Sequence, residues 1–451
     1  MIKLFHITYV ILYLIFGLSN QVFADGIDTK ELNNKKMNLT FSNIHFDNNT
    51  IDSYTYYDFL RESIITQPEF LYANSNYIEK NQQLKFTKRQ RWPELSVRII
   101  NDHVIDRDVS EQNSLRKRQD DSFDAAIELS QPLYSGGTIN AQIRKALSDK
   151  NLSTTEKQNA LSTLVLDANE IYLNAVKSDT LFRYGDKLVK EIEPYLKKVQ
   201  ERVNLGISDP IQLALFSIKF NSLKSMIQIV KTARNRDIGI FEYFFGEKFE
   251  ENSFPNVFVP HLEMNKSKES YNVKGARLFL ESTKEDTNIT RGEFRPKFGI
   301  NTRYTIYDID EKENDSDIRG GIFFSMPLFT FGRAGAKIAA SQAKENSTRI
   351  SIDIQRKDDD VKENDIVNIV QSSANTRNEI FNSFKDTQNQ RRIIKDRLDS
   401  TSFAPESYVN SVLEEMNLLE KTISVEINLL HGYFKYLHQN QNLISHIGIK
   451  S

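Results

Sequence analysis

Once a helix begins at Thr138, nothing in the sequence clearly ends it before Asn204, and a second run of the same kind extends from Arg333 to Leu398. At about 1.5 Å of rise per residue, either run is about 100 Å long, too long for a compact domain. The 451 residues include only 17 Gly and 10 Pro, and among regular elements only helices run this long. In the first run, apolar residues recur at Leu161, Leu164, Ala168, Ile171 and Ala175. After a slip they resume at Leu181, Tyr184, Leu188, Ile192, Tyr195, Val199 and Val203. These alternating steps of three and four predict a helix lying along other helices. Pro194 falls inside the pattern and predicts a kink or a break into two segments. The second run is more polar, includes Lys357-Asp358-Asp359-Asp360, and has a weaker apolar stripe.

The chain is also written twice. Gln131-Pro132-Leu133-Tyr134-Ser135-Gly136-Gly137 recurs 195 positions later as Met326-Pro327-Leu328-Phe329-Thr330-Phe331-Gly332. The same offset carries Arg202 to Arg397 and Pro210 to Pro405. Upstream, Arg91-Trp92-Pro93 answers to Arg295-Pro296, with the prolines 203 apart. The unit from 25 to 246 is therefore repeated from 267 to 438, with a linker at 247–266 and a C-terminal tail at 439–451. Each unit reads helix, strand, strand, long helix, turn, return helix. Alternating apolar and polar residues place strands at about 95–103 and 122–133, then at about 297–307 and 318–328. Long helices follow at 138–204 and 333–398, turns at 205–210 and 400–405, and return helices at 211–245 and 406–438. Pro132, Gly136 and Gly137, with Pro327 and Gly332, mark the two passages from strand to long helix. The first return helix carries Leu213, Phe216, Phe220 and Leu223 along one face.

Residues 1–24 read as a secretory signal. Lys3 precedes the apolar run Ile7 to Phe16, and Val22-Phe23-Ala24 supplies the small-residue cleavage pattern. The cysteine count is zero, which excludes a disulfide framework, a thiolate metal site and a lipid-bearing cysteine. No apolar run near 18 residues follows Ala24, so any membrane crossing falls to the strands. Strands near ten residues with alternating character suit a membrane barrel, but four cannot close one. The wall must be shared, with eight strands from two chains or twelve from three, because open strand edges are excluded from lipid.

The order of elements, written twice, resembles the TolC family of outer-membrane efflux proteins. The resemblance rests on Gln131 to Gly137, Met326 to Phe329, Arg295-Pro296 and the turn at Arg202, Leu205 and Gly206, and covers about 57–438. It implies a mostly α fold with a small β contribution: a homotrimer whose twelve-stranded barrel sits in outer-membrane lipid and continues into a long α-helical periplasmic barrel. It implies passive export of small molecules or secreted proteins, with no catalysis and no cofactor. Its partners would be a periplasmic adaptor and an inner-membrane pump, driven by ATP or by protons. The adaptor-docking turns would be Arg202, Leu205, Gly206, Ile207, Ser208 and Asp209, and Arg397, Thr401, Ser402 and Phe403. Thr401 stands where the family pattern has glycine. Where family members place an acidic ring beyond the second turn, this chain has Ser407 and Asn410, with Glu414 and Glu415 the next acids. Ser407, Asn410 and Glu414 are the candidate tunnel constriction.

The histidines, His6, His45, His103, His261, His431, His438 and His446, make no metal-ligand spacing. His431 and His438 share a helix face and read as a solvated or packed pair. Ser135-Gly136-Gly137-Thr138 lacks the lysine of a phosphate loop. Arg116-Lys117-Arg118 reads as a solvated loop tip, and Asp358-Asp359-Asp360 as a wet helix face. The net charge of −2 gives no argument for nucleic acid. The competing reading is a non-conducting periplasmic or surface coiled-coil scaffold, which explains the helices and leaves the strands unexplained.

Overall fold

The computed structural model describes residues 51–103, 105, 121–250, 254–264, 269–310, 315–400 and 405–449. The signal segment 1–24, His6, His45, the Arg116-Lys117-Arg118 tip and the turn residues Thr401, Ser402 and Phe403 lie outside the described residues. A two-residue strand β1 (Ile51–Asp52) leads into α1 (Ser53–Ile65), where the Asp52 carboxylate caps the helix by accepting from the Thr55 N–H at 2.7 Å. α2 (Pro68–Arg89) opens on its proline. The hairpin β2 (Glu94–His103) and β3 (Asp121–Ser135) precedes the 67-residue α3 (Thr138–Asn204) and α4 (Pro210–Phe245). In the linker, β4 (Pro255–Asn256) pairs in parallel with β1.

The second unit follows with α5 (Tyr271–Glu293), the hairpin β5 (Lys297–Ile306) and β6 (Ser316–Ser325), the 68-residue α6 (Arg333–Ser400) and α7 (Pro405–Gln439). A short α8 (Leu443–His446) closes the described chain. Strand boundaries shift by one to three residues from the sequence reading, and β6 begins two residues earlier, at Ser316. β3 runs on to Ser135 because β5 still pairs with it there, whereas β6 stops at Ser325, where no further strand lies beside it in the described chain.

The strands form one antiparallel sheet in the order β2-β3-β5-β6. The two hairpins are copies at the level of register. Glu94 pairs with Ser130 and His103 with Asp121; Lys297 pairs with Ser325 and Ile306 with Ser316. The first strand of each hairpin maps to its copy by 203 positions and the second by 195, the same offsets that the motifs show.

Two helix layers follow from the packing. Near the sheet the order is α2-α3-α5-α6, tied by Arg144 to Glu285 and Lys145 to Asp286 between α3 and α5, and by Lys337 to Glu293 between α5 and α6. Toward the turn the order is α4-α3-α7-α6. There Leu188, Ile192 and Val199 of α3 bury against Phe216, Phe220 and Leu223 of α4 and against Tyr408, Val412 and Leu419 of α7. The sequence stripe of α3 is thus its buried seam. α3 is one unbroken helix through Pro194. That residue is exposed, so the carbonyl one turn earlier, deprived of its N–H partner, can turn to water. The tail is also different from a trailing end: Leu443, Ile444 and Ile447 are buried in the same core as Leu430 and Phe434. Their apolar side chains gain more by packing than the tail loses in freedom.

Candidate functional site

Each strand of the sheet separates two kinds of side chain. Leu95, Val97 and Ile99 of β2 line up with Leu129, Ile127 and Ala125 of β3. Across β5 and β6 the same face continues through Ile300, Tyr304, Ile318 and Ile322. This apolar face is open in the chain: Ile322 is 79% exposed, Ile318 73% and Val97 67%. The opposite face is charged. Glu128 receives Arg303 at 2.8 Å and Arg98 at 3.7 Å, and Arg319 meets Asp317 at 2.6 Å. Each pair sits at the surface and adds little to stability, so the pattern serves the environment that each face meets. Ten-residue strands span about 33 Å, and tilted by about 40° they give an apolar band of about 25 Å, the height of a membrane barrel's lipid-facing wall.

Two features end that band. Tyr134 and Phe298 pack at 5.5 Å between ring centroids, and Trp92, Phe329 and Phe331 stand exposed at the same end of the strands. Aromatic residues there match the girdle of a bilayer interface. The outer edges of β2 and β6 have no strand partner among the described residues. In hydrocarbon each unpaired backbone group costs several kcal/mol, so this sheet cannot enter a bilayer as a single copy. Among the described residues, no helix is long and apolar enough to cross a membrane.

The strand-to-helix passages repeat in atomic detail. The Ser135 hydroxyl accepts from the Ile139 N–H at 3.3 Å, and Thr330 does the same for Ala334 at 3.3 Å. Ala141 N–H donates to the Gly137 carbonyl at 3.1 Å, as Ala336 does to Gly332. Both passages use two successive left-handed residues, Gly136 and Gly137 in one, Phe331 and Gly332 in the other. Gly136 also faces a close neighbour: a side-chain carbon there would stand 2.4 Å from the Gly292 carbonyl oxygen at the end of α5. Pro132, with no N–H to give the ladder, adjoins a bulge at Leu133; Pro327 lies past the end of β6.

The first turn is a closed knot of backbone hydrogen bonds. The Ile207 and Ser208 N–H groups both donate to the Arg202 carbonyl, at 2.8 and 3.2 Å, and Gly206 supplies the left-handed residue at φ 70°. The Arg202 Nε–H donates to the Ser208 hydroxyl at 3.1 Å, and the Asp209 carboxylate caps α4 through the Ile211 N–H. Polar groups of the turn are thereby bonded to one another. Leu205, 72% exposed, Ile207 and Ile211 are left as apolar points at the tip. Arg397 lies in the last turn of α6.

Ser407, Asn410 and Glu414 are all exposed and share one face of α7. Glu415 does not join them. It is wholly buried, held by the Arg391 guanidinium at 2.5 Å and by the Tyr184 hydroxyl, and Arg391 also reaches Glu191 at 3.1 Å. Burial first, and then this carboxylate, push the Tyr184 phenol well above its usual range. Two further buried acids are paired in the same way: Glu426 with Arg377 at 2.6 Å, and Asp179 with Arg234 and Arg183. The sequence reading missed these pairs, yet it held a signal. Tyr408, Val412, Glu415, Leu419, Thr422, Glu426, Leu430 and Tyr433 step by threes and fours, so Glu415 and Glu426 occupy seam positions.

His431 and His438 are packed. His431 Nδ1 lies 3.1 Å from the Asn169 amide, whose oxygen accepts from the Tyr56 hydroxyl, and His438 Nδ1 lies 2.8 Å from the Ser162 hydroxyl. Burial pulls both down to about 4. No group of three metal-ligating side chains occurs among the described residues. The Asp358-Asp359-Asp360 reading needs correction: Asp358 and Asp360 are exposed, but Asp359 is buried and accepts from the Ser270 hydroxyl. That same hydroxyl caps α5 by accepting from the Val273 N–H at 3.2 Å, and its need for an acceptor draws Asp359 inward.

No family model matches the sequence, and no curated protein does either. Solved structures do match. The outer membrane protein VceC of Vibrio cholerae has a TM-score of 0.68 at 14% identity, over 84% of this chain and 96% of that one. The CmeC outer membrane channel of Campylobacter jejuni has a TM-score of 0.75 at 12% identity, over 91% and 94%. The MtrE outer membrane channel of Neisseria gonorrhoeae, in its open state, has a TM-score of 0.70 at 11% identity, over 86% and 89%. Matched over 84% to 91% of its length, the chain has the fold of these outer-membrane channels, as the resemblance to the TolC family implies.

Proposed function

We propose that the protein is the outer-membrane channel-tunnel of a tripartite export system, a passive duct and not an enzyme. Three copies pool their strands into a twelve-stranded barrel in the outer membrane, and their long helices continue the wall into the periplasm. The observation that carries this reading is the sheet, apolar and open on one face, charged on the other, and without a strand partner at either edge among the described residues. The fold shared with outer-membrane channels supports it. The turn at Arg202 to Asp209 docks a periplasmic adaptor through Leu205 and Ile207, and the second turn, Arg397 with Thr401 to Phe403, docks beside it. The adaptor in turn joins an inner-membrane pump, and small molecules or secreted polypeptides are the cargo. Ser407, Asn410 and Glu414 line the narrow end of the tunnel. A non-conducting scaffold leaves the apolar sheet face without a purpose.

Purified protein added to a planar bilayer should give discrete conductance steps. Recovery from the soluble periplasmic fraction together with an electrically silent bilayer would decide for the scaffold.

A further inference from the structure

Phe323 is the one aromatic ring on the charged face of the sheet among the described residues. Its neighbours along β6 on that face are Arg319, Gly321 and Ser325, whereas Ile322 and Phe324 belong to the apolar face. Alternation puts polar residues on the inner wall of a membrane barrel, so a ring there departs from the pattern. We infer that Phe323 is a contact residue for cargo, a stacking surface for solutes that carry a flat aromatic ring system. The inference rests on the channel reading, in which the charged face lines the bore, and adds a class of solute to it.

The strand register builds a shelf around this ring. Pro132, Gly299 and Phe323 form one row across β3, β5 and β6, and Ser130, Asn301 and Gly321 form the next. Neither row carries a charge. Glu128, Arg303 and Arg319 make the row beyond them, and Lys297 and Ser325 stand on the other side. Two rows on three strands measure about 10 Å by 7 Å, room for a planar system of two or three fused rings. Two glycines keep the shelf clear. A side-chain carbon at Gly299 would stand 2.7 and 2.8 Å from two ring carbons of Phe323, so the ring can lie down over β5 only because that side chain is missing. At Gly321 a side-chain carbon would meet nothing within 4 Å, which leaves the space beside the ring open. Glycine inside a strand costs stability and marks a place that another group approaches closely.

Cover for the Gly299 backbone accounts for the contact with β5. It leaves without a use the outer face of a ring that is 37% exposed and the open floor at Gly321. Charge does not select the solute here. Glu128 holds Arg303 at 2.8 Å and Asp317 holds Arg319 at 2.6 Å, so both nearest arginines already have acid partners. Selection falls to the ring, which favours an offset-stacked or edge-on aromatic partner.

The test compares two monocations on the full-length protein in a planar bilayer: proflavine, which is flat and aromatic, and tetraethylammonium, which has no ring. Proflavine should block the single-channel current more strongly than tetraethylammonium does. Phe323→Leu should weaken the proflavine block about fivefold, as the loss of one aromatic pair implies, with the open conductance and the tetraethylammonium response unchanged. Phe323→Tyr keeps a ring and should keep the block. Gly321→Val fills the open floor without altering Phe323 and should weaken the block as Phe323→Leu does. Three results overturn the inference and leave the duct standing: no proflavine block in the native channel, a block that survives Phe323→Leu or Gly321→Val at full strength, or a loss that is equal for both cations. The last of these would make the ring a support for the strand alone. Membrane-inserted protein that gives no conductance steps overturns the duct itself.

Discussion

Glu415 shows how a single side chain can be misread from sequence. An acid beyond the second turn invites a role in the tunnel, but Glu415 points into the helix seam, where Arg391 and Tyr184 hold it. Removing one partner strands the other charge in a buried site, at a cost of about 3–5 kcal/mol. Glu415→Ala should therefore lower the urea midpoint of helix unfolding, followed by circular dichroism, far more than Glu414→Ala on the exposed face. Replacing both partners, Glu415→Leu with Arg391→Met, should recover most of the loss. The buried histidines set a second residue-scale expectation. His431 and His438 titrate near 4 in the folded chain, against about 6.5 unfolded, because burial disfavours their charged forms. Their neutral packing contributes stability in full above pH 6.5. It is lost progressively as the pH falls toward 4, up to about 3 kcal/mol for each. His438→Gln should flatten the acid limb of a stability-against-pH curve between 6.5 and 4; an unchanged limb would place the acid sensitivity elsewhere.

At the scale of elements, most of the architecture was legible because it rests on local rules. Pro68 opens a helix, Gly206 turns the chain, and alternation marks the strands. What escaped depends on neighbours that the sequence does not display. The end of β6 follows the start of its partner β5, whose Lys297 pairs with Ser325, and the inward turn of Asp359 follows the cap at Ser270. The weak stripe of α6 has the same origin. Its seam faces α7, while Ile350, Ile354 and Val361 stand exposed on the chain's edge. The two strand-to-helix passages separate local from neighbouring effects. Gly136 and Gly332 are both left-handed, at φ 68° and 82°, but only Gly136 is crowded, against the Gly292 carbonyl. Gly332→Ala should cost about 1–2 kcal/mol in backbone strain alone. Gly136→Ala adds a clash with α5 and should cut the yield of heat-resistant oligomers several-fold below that of Gly332→Ala, read on unboiled gels.

The whole molecule has two unlike edges, and they run from sheet to helices without a change of side. On one edge β2 is followed by α2 with exposed Leu71, Tyr72 and Phe86, then by α4 with exposed Ile211, Leu215 and Ile218. On the other, β6 passes into α6 with its own exposed aliphatic residues. In the proposed shared wall, edges of this kind would meet in rotation, with lipid on one face of the sheet and water on the other. The face assignments are therefore separable by charge. A lysine on the lipid side of a barrel costs about 2–4 kcal/mol near mid-depth, whereas the inner side tolerates charge. Ile322→Lys should reduce insertion into lipid vesicles about 30-fold or more, the factor that 2 kcal/mol implies at room temperature. Arg319→Gln, three residues away on the charged face, should leave insertion unchanged. Floatation of the two variants with vesicles on a density gradient reads the difference, and equal floatation would mean that the apolar face does not meet lipid.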